Sequence, residues 1–204
     1  QEVLHHQLEV LKTGLPEYTV VGVGREDGKT AGEYAPIFFK QAKYTLLDQN
    51  TFWLCEKPDS VGMVGWDAAL TRIATWVKLQ DKKTGQILMV VNTHFDHIGT
   101  EARRNSALLI IEKIKEIVGT SPAILTGDFN VSEDWDAYKT ITNNEFILKD
   151  AHKVAGKRTG VDFTYHNFGK IPAEKCEKID FIFVTPQIRV ISSYIPFSQL
   201  NDTL

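Results

Sequence analysis

The chain has 204 residues, 43% of them hydrophobic and 24% charged, which fits one large folded domain spanning 1–204 and excludes a disordered or fibrous chain. A formal charge of −3 and a pI of about 6.1 lack the basic excess with which nucleic-acid binders neutralise phosphate, so any nucleic-acid role is enzymatic and local. No apolar run nears the roughly 18 residues of a membrane span, and Cys55 and Cys176 stand far apart without a CxxC partner, so a soluble chain without a disulfide framework is expected.

Leu4, Leu8 and Leu11 recur at helical spacing before Gly14 and Pro16, which predicts a helix over residues 2–13 with Glu2 in its first turn. No signal peptide precedes it, and the compartment stays open. Thr19 to Val23 reads as a buried strand and Gly24 to Gly32 as a polar loop. Pro36 to Lys40, Lys43 to Asp48 and Thr51 to Leu54 read as three strands joined by two-residue connections, hence antiparallel sheet. After a loop from Pro58 to Gly65, strands over Arg72 to Leu79 and Gln86 to Thr93 flank the turn Asp81 to Gly85. From Glu101 to Val118 the residues Ala107, Leu108, Ile111, Ile114, Ile117 and Val118 form an amphipathic stripe. Gly119 ends that helix. Ala123 to Thr126 is a short buried strand, Glu133 to Asn143 a helix, Lys153 to Arg158 a basic loop, and Ile179 to Val184 and Arg189 to Ile195 are the last strands. Hairpins mixed with helical crossovers favour an α+β sandwich over a purely parallel sheet.

Two segments share one pattern, an apolar strand running out into polar residues. Ile87 to Val91 leads into Asn92-Thr93-His94, and Ala123 to Leu125 into Gly127-Asp128-Phe129-Asn130. Strands abutting in one sheet bring both clusters to one rim. In Asp128-Phe129-Asn130 an extended chain puts carboxylate and carboxamide on one side and Phe129 in the core. A hard cation such as Mg²⁺ takes oxygen ligands and one or two carboxylates beside phosphate oxygens. Asp and Asn are also ordinary turn residues, so the tetrapeptide alone leaves a turn and a site equally open.

Taken in order, Gln1-Glu2-Val3, Gly32-Glu33-Tyr34, Arg72, Asn92-Thr93-His94, Gly127-Asp128-Phe129-Asn130 and Lys178-Ile179-Asp180-Phe181-Ile182 resemble the motifs of the endonuclease/exonuclease/phosphatase (DNase I-like) superfamily. The resemblance implies a four-layer α/β/β/α sandwich with two mixed sheets, and a divalent-metal-dependent hydrolase in which water attacks phosphorus. It implies Glu2 as a Mg²⁺ (or Mn²⁺) ligand, and Asp128 as the residue that orients or deprotonates the water, beside a second metal if there is one. Asn130 and His94 would donate to the phosphate, Glu33 would hold the other ring nitrogen of His94, and Arg72 would grip the phosphate with its fork. Arg25, in a loop able to reach substrate, is expected as a specificity contact, with a solvated turn equally open. Read singly, Glu2 is also a helix-start acid, Glu33 a hairpin charge, Arg72 a strand-edge solubiliser and His94 a strand-end histidine.

The same pattern implies an asparagine strand before Gln1-Glu2 and a terminal Ser-Asp-His whose histidine pairs with the match of Asp180. Neither is in the sequence, so a fragment trimmed at both ends, weakly active or inactive, is expected. Two alternatives stand beside the hydrolase. His94-Phe95-Asp96-His97 resembles part of the metallo-β-lactamase signature, which implies dinuclear zinc; a binding module that has lost catalysis is the other. With no basic stripe, a small phosphoester, such as a sugar, inositol or lipid head-group phosphate, is the expected substrate, although basic residues between Lys149 and Lys178 keep nucleic acid in view.

Overall fold

A computed structural model describes residues 1–143 and 148–197. In chain order the elements are helix α1 (His5–Gly14), strands β1 (Tyr18–Val21), β2 (Ile37–Lys40), β3 (Tyr44–Trp53), β4 (Ile73–Asp81) and β5 (Ile87–His94), and helix α2 (Thr100–Val118). There follow β6 (Ala123–Asp128), α3 (Asp136–Thr142), β7 (Lys149–Asp150), α4 (Ala151–Val154), β8 (Lys157–Gly160), β9 (Asp180–Val184) and β10 (Ser192–Ile195).

The centre is a six-stranded mixed sheet in the order β3-β4-β5-β6-β9-β7. β4 and β5 form the hairpin predicted around Lys83-Thr84-Gly85, and Asp81 caps its turn by accepting from the Lys83 and Thr84 N–H groups at 2.9 and 2.8 Å. β5 and β6 run parallel. A parallel pair needs a crossover, and α2 supplies it. The period of two in β4 sends Ala74 and Trp76 to one face, where they join Met89, Val91, Leu125, Phe181 and Phe183 beneath Ala107, Ile110, Ile111 and Ile114 of α2 and Tyr138 and Ile141 of α3. It sends Val77 and Leu79 to the other, against Val21 of β1 and Ile37 and Phe39 of β2. β4 is thus covered on both faces, as its apolar run requires.

The molecule is α+β, with a mixed central sheet and helices. Beside the six-stranded sheet, the described residues form two two-stranded pairs, antiparallel β1-β2 and parallel β8-β10. The end of the chain, 198–204, on which the expectation of a trimmed terminal motif falls, lies outside the described residues.

Several boundaries differ from the periodicity. The two strands expected over 43–54 are one, β3, because Gln49 and Asn50 continue in register with Val77 and Trp76 while a shift between Leu46 and Asp48 absorbs the surplus residue as a bulge. Helix α1 starts at His5, since Glu2 is left-handed (φ 61°) and Val3 pairs with Tyr34 instead. On α2 the buried stripe runs through Ala102, Ser106, Ala107, Ile110, Ile111 and Ile114, leaving Leu108 44% exposed. The basic stretch expected as a loop over 153–158 contributes to α4 and β8.

Candidate active site

The parallel pairing of β5 with β6 aligns Thr93 with Gly127 and His94 with Asp128, and β6 in turn aligns Asp128 with Asp180 of β9. Gly127 is required by close approach: a Cβ there would stand 2.2 Å from the Thr93 carbonyl oxygen. Phe129, fully buried, packs edge-on against Phe95 and Phe183 with ring centroids 4.9 and 5.2 Å away. That anchor turns the flanking polar residues outward. Asn130 is left-handed (φ 49°) rather than extended, so its side chain does not simply repeat the direction of Asp128. Its amide Nδ2 donates to the Phe95 carbonyl at 3.0 Å and its backbone N–H to Asp128 Oδ1 at 2.8 Å.

Glu2 reaches the same rim because the Val3–Tyr34 bridge, with Tyr34 N–H donating to the Val3 carbonyl at 2.8 Å, fixes the chain just before α1. His94 Nε2 lies 3.7 Å from Glu2 Oε1 and 3.7 Å from Asp128 Oδ2. Asp180 faces the cleft and accepts from Gln1 Nε2 at 3.0 Å. Glu33 Oε2 lies 3.7 Å from His94 Nδ1, beyond hydrogen-bond length, and accepts instead from Arg25 Nη1. His94 Nδ1 and Arg72 Nη1 are both buried without a hydrogen-bond partner, a costly state for polar groups. Together these residues line a cleft of about 560 Å³ that also includes Leu70, His97 and the segment Thr164 to Phe168.

Burial pushes the Asp128 carboxyl up to about 7, with Asp180 and Glu2 adding to the rise against the Asn130 N–H. Burial lowers His94 to about 3, and the guanidiniums of Arg72 and Arg25 act in the same sense, so the imidazole is neutral at neutral pH. Glu2, His94 and Asp128 each present one ligand atom, all within 4.8 Å of one another. Two carboxylates and an imidazole at that spacing suit a divalent cation that completes its shell with water and phosphate oxygen. The mutual repulsion of Asp128, Asp180 and Glu2 is what such a cation would relieve.

Every residue singled out from the sequence, Glu2, Arg25, Glu33, Arg72, His94, Asp128, Asn130 and Asp180, borders this cleft. The partners differ. Arg72 is not a strand-edge solubiliser: 4% exposed, it lies 3.5 Å from Asp96 Oδ2 and 3.1 Å from His97 Nδ1. Asp96 is fully engaged, accepting from the N–H groups of Ile98, Gly99, Ala69 and Leu70 at 2.7–3.2 Å. The two residues a zinc pair would need are engaged otherwise, the Asp96 carboxylate by backbone N–H groups and His97 Nδ1 by the Arg72 guanidinium. Two of the basic residues between 149 and 178 are paired with acids: Lys178 binds Asp150 at 3.0 Å and Lys153 binds Glu133 at 2.6 Å. The Thr164 to Phe168 wall escapes sequence reasoning, as no spacing signal marks it, and the motifs that contain Gln1 and His97 assign neither a part in the hydrolase site.

The mixed sheet and helices have the DNase I-like fold, shared with solved structures of that class. The chain belongs to the endonuclease/exonuclease/phosphatase family, whose model matches residues 1–201. It is similar to an endonuclease/exonuclease/phosphatase from Bacteroides vulgatus, with 67% identity and a TM-score of 0.96 over 98% of this chain and 76% of the other. It is also similar to a mannosyl-6-phosphatase from Bacteroides thetaiotaomicron, with 40% identity and a TM-score of 0.87 over 94% of this chain and 72% of that one. An uncharacterized protein of Acanthamoeba polyphaga mimivirus is 36% identical over 172 residues, 80% of this chain, and the matched stretch spans 63% of that relative's length. The human nocturnin catalytic domain, 18% identical with a TM-score of 0.68 over 91% of this chain and 67% of the other, shares the fold. Among the described residues no helix is long and apolar enough to cross a membrane.

Proposed function

We propose that the protein is a divalent-metal-dependent hydrolase of small phosphoesters. The observation that carries this reading is the convergence of Glu2, His94 and Asp128, with ligand atoms within 4.8 Å of one another at the end of the parallel pair. The mannosyl-6-phosphatase at 40% identity supports a phosphomonoester. The net charge of −3 speaks against a nucleic-acid track.

In the reaction, a water oxygen bonds to phosphorus, the ester P–O bond breaks, the water loses a proton and the leaving oxygen gains one. Glu2 and Asp128 would hold Mg²⁺ or Mn²⁺, which when bound supplies positive charge to a phosphoryl oxygen. The chain's own groups do the rest. Asp128, at the end of the parallel pair, would orient the water and accept its proton. His94, beside the two acids that would hold the cation, would donate to a phosphoryl oxygen. The buried, unpartnered Nη1 of Arg72 offers a second donor, as developing charge on an in-line displacement requires. Asn130 borders the same oxygens. Asp180, held by Gln1, forms another side of the cleft, and Glu33, paired with Arg25, lies beside the imidazole; Arg25 borders the cleft and would serve as a specificity contact.

The test is phosphate release from a panel of phosphomonoesters and diesters by the full-length protein, with Mg²⁺, with Mn²⁺ and after chelation. Turnover of monoesters that is lost on chelation and restored by either ion is expected. Metal-independent turnover, or turnover confined to nucleic acid, would contradict the reading.

A further inference from the structure

One wall of the cleft is built to display a side chain rather than to bury it. Thr164 Oγ1 accepts from the N–H groups of Ile179 and Asp180 at 3.1 Å, and Tyr165 pairs with Glu177, so the base of the segment is tied to the strand that carries Asp180. Above that anchor, His166 Nδ1 accepts from the Gly169 N–H at 2.8 Å. Between them Asn167 and Phe168 both adopt left-handed backbone, φ 46° and 53°, which L residues other than glycine seldom accept without a compensating contact. The outcome is a phenyl ring 79% exposed on the cleft wall. Core packing gives no reason for a large apolar side chain there.

The electrostatics of the cleft narrow what that ring meets. Its walls carry the carboxylates of Glu2, Glu33, Asp128 and Asp180 against the guanidiniums of Arg25 and Arg72, and these two are already engaged by Glu33 and Asp96. One phosphate with its cation is accommodated. A second anionic group on the leaving side would meet unpaired negative charge. Hydroxyl groups, in contrast, donate to carboxylates, and an aromatic face packs against the C–H face of a saturated ring.

We infer that Phe168 is the stacking platform for the leaving group, and that this group is a neutral, hydroxyl-rich saturated ring bearing no base, so that the substrate is a hexose phosphate monoester. The inference depends on the phosphoester hydrolysis proposed above and narrows its substrate. Phe168 touches the leaving group and not the reacting atoms, so its loss weakens substrate capture and spares the chemical step.

Phosphate release by the full-length protein with Mg²⁺ is compared for mannose 6-phosphate, glucose 6-phosphate, phosphoethanolamine and adenosine 5′-monophosphate, in wild type, Phe168→Ala and Phe168→Trp. Phe168→Ala is expected to lower kcat/KM for the hexose phosphates by about tenfold, chiefly through KM, whereas Phe168→Trp keeps it within about twofold. Phosphoethanolamine, which has no ring, is a poor substrate whose rate neither variant changes, and the thermal midpoint stays that of wild type. Equal losses on every substrate, no loss on the hexose phosphates, or a wild-type preference for phosphoethanolamine or the nucleotide would overturn the inference. If no phosphoester is turned over, the hydrolase reading fails separately, and saturation-transfer NMR of mannose 6-phosphate on the metal-free protein decides the platform. Ring-proton contacts present in wild type and lost in Phe168→Ala would sustain it, and their absence from wild type would overturn it.

Discussion

Asp128 meets two requirements that conflict: it is buried beside Asp180 and Glu2, and the proposed chemistry needs it charged when it takes a proton. Replacing it with Asn keeps shape, and the amide oxygen can still accept the Asn130 N–H now held at 2.8 Å. Removing a buried charge among like charges does not cost folding energy. Asp128→Asn is therefore expected to lower kcat by more than about a thousandfold with a thermal midpoint equal to or above that of wild type. Steady-state rates and a melting curve on the same preparation check this; a variant of wild-type rate removes Asp128 from the mechanism. At this scale the sequence is informative about identity and poor about partners. His94 and Asp128 are legible because each ends an apolar strand, whereas the Arg25–Glu33 pair and the position of Glu2 ahead of α1 depend on a left-handed residue and an isolated bridge that no periodicity encodes.

Among elements, the segment before β4 and the start of α2 are tied together by two acids. Asp67 accepts from the N–H groups of Ala102 and Glu101 at 2.6 and 3.2 Å, satisfying donors that the first turn of a helix leaves open. Asp96, 2% exposed, holds Ala69 and Leu70 on one side and Ile98 and Gly99 on the other. Burial alone would raise the Asp96 carboxyl, but the four N–H groups prevail and lower it to about 2 from an ordinary 3.8. Because the folded value is depressed, the stability it contributes, about 2 kcal/mol by linkage, is fully present above pH 3.8 and is lost as pH falls through about 2. Asp96→Ala, which strands those donors and the Arg72 guanidinium, is expected to destabilise by about 3–5 kcal/mol at pH 7. The difference from wild type should shrink toward pH 2. Urea unfolding at both pH values checks it, and a pH-independent difference would show that the carboxylate's charge is not what matters. Sequence pattern offers Asp96 a metal signature only as an alternative, since a carboxylate flanked by histidines reads the same whether it meets zinc or backbone N–H groups.

For the molecule as a whole, function follows from topology. One parallel pair in an otherwise antiparallel six-stranded sheet brings two strand ends to the same rim, and the crossover helix α2 is what makes that pairing possible. Both strands and α2 are readable from hydrophobic periodicity, so the convergence of His94 and Asp128 follows from the sequence pattern itself. The continuity of β3 through a bulge, the two-stranded pairs and the wall carrying Phe168 do not, because each is decided by a partner distant in sequence. The proposed divalent cation between Glu2 and Asp128, beside His94, is open to direct observation by anomalous diffraction from crystals of the full-length protein soaked with Mn²⁺ and inorganic phosphate. A manganese peak bonded to Glu2 and Asp128 oxygens is expected, with phosphate within reach of His94, Asn130 and Arg72; a peak at Asp96 and His97, or none in this cleft at saturating Mn²⁺, would refute the proposed site.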